Sequence, residues 1–178
     1  QDPNEMLYWN YLTSKKIFDL AQKYNKKVIY SSSAACYGNG DGIPTNIYGW
    51  SKLLAEEYGM KACDKFVALR YFNVYGKNEF YKGKTSSMVI QLGHQILSNK
   101  APRLFNNSDR IFRDFINIED VVLANIKACN PKESGIYNIG TGKPRSFQNI
   151  ADILQHELGT DLGTDYFPNP YKGYQMHT

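Results

Sequence analysis

Tyr48-Gly49-Trp50-Ser51-Lys52 sets a phenol and an ammonium four residues apart. If this stretch is helical, the spacing stacks the two side chains on one face, one turn from each other. A phenol with an ordinary pKa near 10 is a poor base at neutral pH. An adjacent ammonium favours the phenolate and is expected to bring it toward the working range. A hydroxyl from the end of a neighbouring strand would then hold the same substrate oxygen, and Ser31, Ser32 and Ser33 close an apolar run that reads as such a strand. Ligands of open parallel sheets bind at the carboxyl ends of the strands. Together these groups compose an alcohol-oxidising site, whereas the bare Tyr-x-x-x-Lys spacing also suits one core aromatic beside one solvated lysine.

The elements that must position these groups alternate along the chain. Asp2-Pro3-Asn4-Glu5 is a helix start, with a capping Asp, Pro in the first turn and an acid where the helix dipole favours it. Ile17, Leu20, Ala21 and Tyr24 recur at helical spacing and predict an apolar stripe facing the core. Lys27 to Ser32 is short and β-branched without polar alternation, as expected of a strand buried on both faces of a parallel sheet. Gly38 to Gly42 is turn material. A helix over Ile47 to Ala62, a strand over Phe66 to Tyr71, a helix over Met88 to Leu97, a strand and helix within Arg113 to Ala128, a strand at Ile136 to Ile139 and a helix over Phe147 to Leu158 follow. This order predicts an α/β fold, a Rossmann-like doubly wound parallel sheet with a smaller α/β domain.

Composition narrows the classes. The 178 residues are 42% hydrophobic and 21% charged with a net charge of +4, ordinary for a globular protein. No run reaches the roughly 18 apolar residues of a membrane-spanning helix, and the first residues lack the features of a signal peptide. Cys36, Cys63 and Cys129 form no CxxC pair, which argues against a disulfide scaffold or zinc site and for a reducing, cytoplasmic setting. His94, His156 and His177 are scattered, so no metal is expected. Lys15-Lys16 and Lys26-Lys27 are the only basic doublets, too short to suggest a nucleic-acid partner.

Five segments in order carry a family likeness: Ser31-Ser32-Ser33-Ala34-Ala35-Cys36-Tyr37-Gly38, Tyr48 to Lys52, Arg70-Tyr71-Phe72-Asn73-Val74-Tyr75-Gly76, Arg113 to Val121, and Tyr137-Asn138-Ile139-Gly140-Thr141-Gly142. Through them the chain resembles the extended short-chain dehydrogenase/reductase family of nucleotide-sugar epimerases and dehydratases over essentially its whole length. Tyr81-Lys82-Gly83, Leu104-Phe105 with Ser108, Ser146-Phe147-Gln148 and Lys172-Gly173-Tyr174-Gln175 make it most similar to the branch that epimerises ADP-glycero-manno-heptose at C6 for the lipopolysaccharide core. Cys36 where a Thr is commoner, Lys84 and Gln91 where relatives carry Ser and His, and Asn106-Asn107 in place of an acid and a glycine depart from that branch and bear on the sugar. Another nucleotide-sugar epimerase or dehydratase is the alternative.

The resemblance implies catalytic roles for Tyr48 as base, Lys52 as its electrostatic partner, Ser33 as the hydroxyl on the reacting oxygen and Lys82 as a second acid/base. Two such groups suit the chemistry. Inverting an unactivated carbinol removes hydride, leaves a planar ketone and returns hydride to its other face, so each of two substrate orientations wants its own proton carrier. Without the likeness, Lys82 reads as an exposed loop lysine. NADP is the implied cofactor, contacted by Lys52, Val74, Lys82 and Asn10, and an ADP-heptose sugar nucleotide the substrate, contacted by Asn73, Phe105, Ser108, Arg113 and Tyr174. Arg113 suits the phosphates through bidentate bonds, against a salt bridge to Asp114 or Glu119. A homo-oligomer without membrane or nucleic acid is implied as well. Residues 1–76 would form the second half of an NADP-binding Rossmann domain, 113–143 return to it, and 77–112 with 144–178 form a substrate domain. The strand, glycine-rich turn and helix that hold a dinucleotide pyrophosphate are not among these residues. The chain therefore reads as a fragment of a longer protein, inactive by itself.

Overall fold

In the computed structural model, residues 2–130, 133–171 and 174–178 are described, and of Lys84 the backbone alone. Lys172 and Gly173 of the Lys172–Gln175 motif lie outside the described residues. The elements run α1 (Pro3–Leu7), a π-helical turn (Tyr8–Leu12), α2 (Thr13–Lys23), β1 (Val28–Ser33), α3 (Ile47–Ala62), β2 (Phe66–Tyr71), β3 (Asn73–Tyr75), α4 (Met88–Leu97), β4 (Arg103–Phe105), β5 (Phe112–Arg113), β6 (Phe115–Asn117), α5 (Ile118–Ala128), β7 (Gly135–Ile139), β8 (Arg145–Ser146), α6 (Phe147–Glu157) and β9 (Asp165–Phe167), with short 3-10 turns between them. No described helix is long and apolar enough to cross a membrane.

The chain divides into two compact units, residues 1–72 with 120–139 and residues 73–119 with 140–178. The cuts fall after 72, 119 and 139, against the 76, 112 and 143 expected from the sequence.

In the first unit β1, β2 and β7 form a parallel sheet in the order β1-β2-β7. Side chains alternate across it because successive Cβ atoms in a strand point to opposite faces. Val28, Tyr30, Phe66 and Ala68 pack with Phe18 of α2 and Ala55 of α3 on one face. Val67 and Leu69, with Ile29, Tyr71 and Ile139, meet Ala128 of α5 on the other. Helices on both faces make the fold α/β and doubly wound, as the alternation of elements predicts, and explain why Phe66–Leu69 is an unbroken apolar run.

The stripe expected of the first helix is corrected. Of the four expected residues Ile17, Leu20 and Tyr24 are exposed and only Ala21 meets the core, half-buried with Tyr11 beside Phe18, which turns inward at 3% exposure. The helix carries two apolar stripes, and ring packing selects between them. Phe18 meets Phe66 and Tyr30 edge-on at centroid distances of 5.2 and 5.4 Å, arrangements that stabilise aromatic pairs beyond their buried area.

The second unit is built from shorter pieces. β3 pairs with β6 and β4 with β9 in parallel, β5 with β8 antiparallel. Its core joins α4 and α6 through Leu92, Leu104, Ile111, Phe147, Ile150 and Ala151. The sequence shows α4 and α6 by their periodicity, but two- and three-residue strands are too short to leave one.

Candidate functional site

Tyr48 and Lys52 lie in the first turns of α3, which begins where Asn46 caps it by accepting the Gly49 amide at 2.9 Å. Gly49 lets this turn press against the preceding loop, since a Cβ there would stand 2.6 Å from the Ala35 carbonyl oxygen and 2.9 Å from Pro44. That close approach sets the phenol near the end of β1. Ser33 accepts the Ala35 amide at 3.2 Å, and its hydroxyl is near enough to the Tyr48 phenol to act on its acidity. The Lys52 ammonium donates to the Ser31 carbonyl oxygen at 2.9 Å and lies 5.9 Å from the centre of the Tyr48 ring and 5.1 Å from that of Tyr30. Tyr48 keeps 38% of its surface open.

The expected acidification of Tyr48 is corrected. Burial pushes its phenol above the ordinary value, and the opposing influence is the Ser33 hydroxyl rather than the Lys52 charge. The same partial burial pulls Lys52 below its ordinary value, with Cys36 and Glu56 acting against it. Desolvation disfavours the charged form of either group and is the largest influence on both.

The three serines separate. Ser31 shares a hydrogen bond of 3.2 Å with the Tyr71 hydroxyl, Ser32 turns inward to the Glu56 carboxylate, and Ser33 remains at Tyr48. Glu56, one further turn along α3 from Lys52, is fully buried and held by the Arg70 guanidinium at 2.6 to 3.1 Å. Arg70 lies 4.5 Å over the Tyr37 ring, whose hydroxyl donates to Asn138 at 2.7 Å. This chain ties the carboxyl ends of β1, β2 and β7 beside Tyr48. The spacing Tyr48, Lys52, Glu56 could have signalled it. Asn10, in the π-helical turn, donates to the Ser51 hydroxyl at 3.1 Å, and Ser51 donates to the Tyr48 carbonyl oxygen at 2.7 Å. A hollow of about 510 Å³ in this unit, lined by Val67, Leu69, Ala124 and Tyr137, lies on the sheet face opposite α3 and is not the Tyr48 site.

In the second unit Phe105, Arg113 and Tyr174 come together. The Tyr174 ring is 5.6 Å from Phe105 and 5.1 Å from the Arg113 guanidinium. Arg113 is 6% exposed, and its two terminal nitrogens donate to the Phe112 and Gln175 carbonyl oxygens at 2.7 and 2.5 Å. It pairs with neither Asp114 nor Glu119. Asp114 accepts from Thr141 and Gly142, and Glu119 pairs with Lys77. Ser108 stands apart at 1% exposure with Gln148, at the edge of a polar cleft of about 520 Å³ that Asn106, Asn107 and Tyr166 also line. Asn73 donates to the Asp114 carbonyl oxygen at 3.2 Å and to Thr178 at 3.0 Å, and Val74 is the middle residue of β3. Lys82 is exposed at the kink of a 3-10 turn, its amine without a protein hydrogen bond among the described residues.

Residues 1–140 match the NAD dependent epimerase/dehydratase family, and the chain belongs to it. Among solved structures it is similar to the ADP-L-glycero-D-manno-heptose-6-epimerase of Helicobacter pylori, with 38% identity, a TM-score of 0.87 and 95% of this chain covering 57% of that one. It is similar too to the UDP-glucose 4-epimerase of Thermotoga maritima solved with UDP-glucose, at 26% identity, TM-score 0.88, and 99% of this chain on 62% of that one. A UDP-glucuronic acid 4-epimerase from Bacillus cereus in complex with NAD shares the fold, at 23% identity, TM-score 0.76, and 89% on 56%. The chain thus spans about three fifths of the solved chains it matches. The expectation of NADP is overturned by these findings: the matching family is NAD dependent, and the Bacillus cereus enzyme was solved with NAD.

Proposed function

We propose that this chain is the catalytic portion of an NAD-dependent nucleotide-sugar epimerase, and that its substrate is ADP-glycero-manno-heptose inverted at C6. The observation that carries the reading is the Ser33–Tyr48–Lys52 constellation, a partly exposed tyrosine between a strand-end hydroxyl and an ammonium fixed on the Ser31 carbonyl. The 38% identity to the Helicobacter pylori enzyme supports the choice of sugar.

The residues present suit a dinucleotide. An ammonium has three donor hydrogens. Lys52 gives one to Ser31, which leaves two for ribose hydroxyls at the carboxyl end of a parallel sheet. Val74 and Lys82 are the other proposed contacts, and Asn10 contributes by holding Ser51 beneath Tyr48. When bound, the nicotinamide supplies the hydride acceptor and donor. Tyr48 moves the proton of the carbinol oxygen, and Ser33 donates to that oxygen. A phenol held above its ordinary value starts protonated at neutral pH, which suits returning a proton to a ketone oxygen. Lys82 carries the proton in the second substrate orientation. Asn73, Phe105, Ser108, Arg113 and Tyr174 are the proposed substrate contacts. Arg113 would engage phosphate by exchanging its main-chain acceptors for phosphate oxygens.

The test is to incubate the full-length protein that carries this portion, loaded with NAD, with ADP-D-glycero-D-manno-heptose and resolve the two C6 epimers. Interconversion is expected, and Tyr48→Phe is expected to slow it by roughly 100-fold or more, as for loss of a general acid/base. No interconversion refutes the assignment of the sugar, and a normal rate in Tyr48→Phe refutes the role of the phenol.

A further inference from the structure

The loop that carries Lys82 is closed by one buried carboxylate. Glu79 is 6% exposed. Its Oε1 accepts the Gly76 amide at 2.9 Å and the Ser87 hydroxyl at 3.0 Å, and its Oε2 accepts the Ser87 amide at 2.7 Å. Gly76 and Ser87 are the two ends of the segment between β3 and α4. A carboxylate this far from water is tolerated only where donors surround it, so the segment must bring both ends to Glu79. Ser87 is also the cap of α4, its hydroxyl accepting the Ile90 amide at 3.3 Å, and the positive end of that helix favours the anion. Gly76 can enter this arrangement because it lacks a Cβ. Its φ is +143°, and a Cβ would stand 2.5 Å from Ile118.

Inside the closed segment the backbone of Lys82 is held on both sides. Its amide donates to the Glu79 carbonyl oxygen at 2.9 Å, and its carbonyl oxygen accepts the Thr85 hydroxyl at 2.8 Å. The Ser86 amide and hydroxyl both reach the Gly83 carbonyl oxygen, at 3.1 and 2.8 Å. The side chain of Lys82 is exposed, as are those of Phe80 and Tyr81.

We propose that Glu79 is a positioning residue for Lys82, its carboxylate joining Gly76 to Ser87 so that the lysine is presented from a fixed backbone. The inference rests on the reading of Lys82 as the second acid/base. Glutamine cannot take the place of Glu79, because it offers one acceptor oxygen and turns an NH2 group toward an N–H donor. Glu79→Gln therefore breaks at least one of the three bonds and sets an NH2 group against a buried amide, loosening the closure without changing the size of the side chain.

Two measurements on the full-length protein that carries this portion, loaded with NAD, test this. With ADP-D-glycero-D-manno-heptose, Glu79→Gln is expected to lower kcat by about 10- to 100-fold with KM changed far less, the scale of a misplaced catalytic group. In a Lys82→Met background, Glu79→Gln is expected to lower kcat no further, whereas general damage to the fold would multiply the two losses. A normal kcat in Glu79→Gln, or multiplying losses, overturns the proposal. A normal kcat in Lys82→Met overturns it too, and shows that the reading of Lys82 was at fault. The second measurement is independent of turnover. Hydrogen exchange at the Lys82 and Ser86 amides is expected to quicken about 10-fold or more in Glu79→Gln while α4 stays protected, and unchanged exchange there overturns the clasp. Should Glu79→Gln fail to fold, Glu79→Asp, which keeps the carboxylate but is one methylene too short to reach both ends, is expected to give the same pattern at smaller amplitude, and its absence counts equally against the proposal.

Discussion

The two units bury their carboxylates in different ways. In the first, Glu56 has no exposed surface and is met by a cation, the Arg70 guanidinium, with Ser32 adding a third donor group. In the second, Glu79 and Asp114 are 6% and 5% exposed and are met mainly by backbone amides, those of Gly76 and Ser87 for one and of Thr141 and Gly142 for the other. A salt bridge ties together long elements whose own packing already fixes them. A carboxylate cradled by amides shapes a turn that has no sheet or helix of its own. The first arrangement makes a rigid floor under Tyr48, and the second sets where short loops begin and end.

This contrast can be broken by experiment. Arg70→Met leaves the Glu56 charge buried without its partner and is expected to destabilise the fold by about 3–5 kcal/mol; denaturant unfolding measures it, and a loss below 1 kcal/mol would mean that the pair contributes little. Asp114→Asn keeps the size of the side chain but offers one acceptor oxygen and an NH2 group to the Thr141 and Gly142 amides. The expected loss is about 1–3 kcal/mol, the cost of leaving a buried donor unsatisfied. A loss as large as that of Arg70→Met would erase the distinction between the two kinds of site.

The smallest effect sharpens the description of the first unit and appears only at high pH. Burial raises the phenols of both Tyr30 and Tyr48 above their ordinary value. In the unfolded chain they ionise first, near pH 10. The stability they supply is therefore complete below pH 10 and is lost as the pH climbs above it. Tyr30→Phe is expected to leave stability near neutrality almost unchanged and to flatten this alkaline loss, which unfolding curves at pH 8 and above pH 10 would register. An unaltered alkaline slope would place the raised group elsewhere.

Legibility in the sequence followed element length. The boundaries of α3, β2 and α4 could be read directly, because sixteen, six and ten residues of consistent pattern carry their period with them. The face of the first helix could not. Ile17, Leu20 and Tyr24 make as good a stripe as Tyr11, Phe18 and Ala21, and only contact with Phe66 and Tyr30 distinguishes them. Within the candidate site the Tyr48–Lys52 spacing was visible because it lies within one helix. The direction of the Tyr48 shift was not, because it depends on how many atoms crowd the phenol, a property of the folded neighbourhood. Arg113 was visible as a cation in a family-like segment, but its main-chain acceptors come from its own strand neighbour and from Gln175, far along the chain.

The sequence by itself determined the alternation of helices and strands, the double winding of the sheet and the placing of a phenol and an ammonium on one helical turn, since all three follow from periodicities of a few residues. Tertiary structure alone decided which apolar stripe is buried, that Ser31 meets Tyr71 and Ser32 meets Glu56, and that Glu56, Glu79 and Asp114 are interior carboxylates. Each of those outcomes depends on partners brought from elsewhere in the chain, and the desolvation that raises the Tyr30 and Tyr48 phenols exists only once those partners have closed around them.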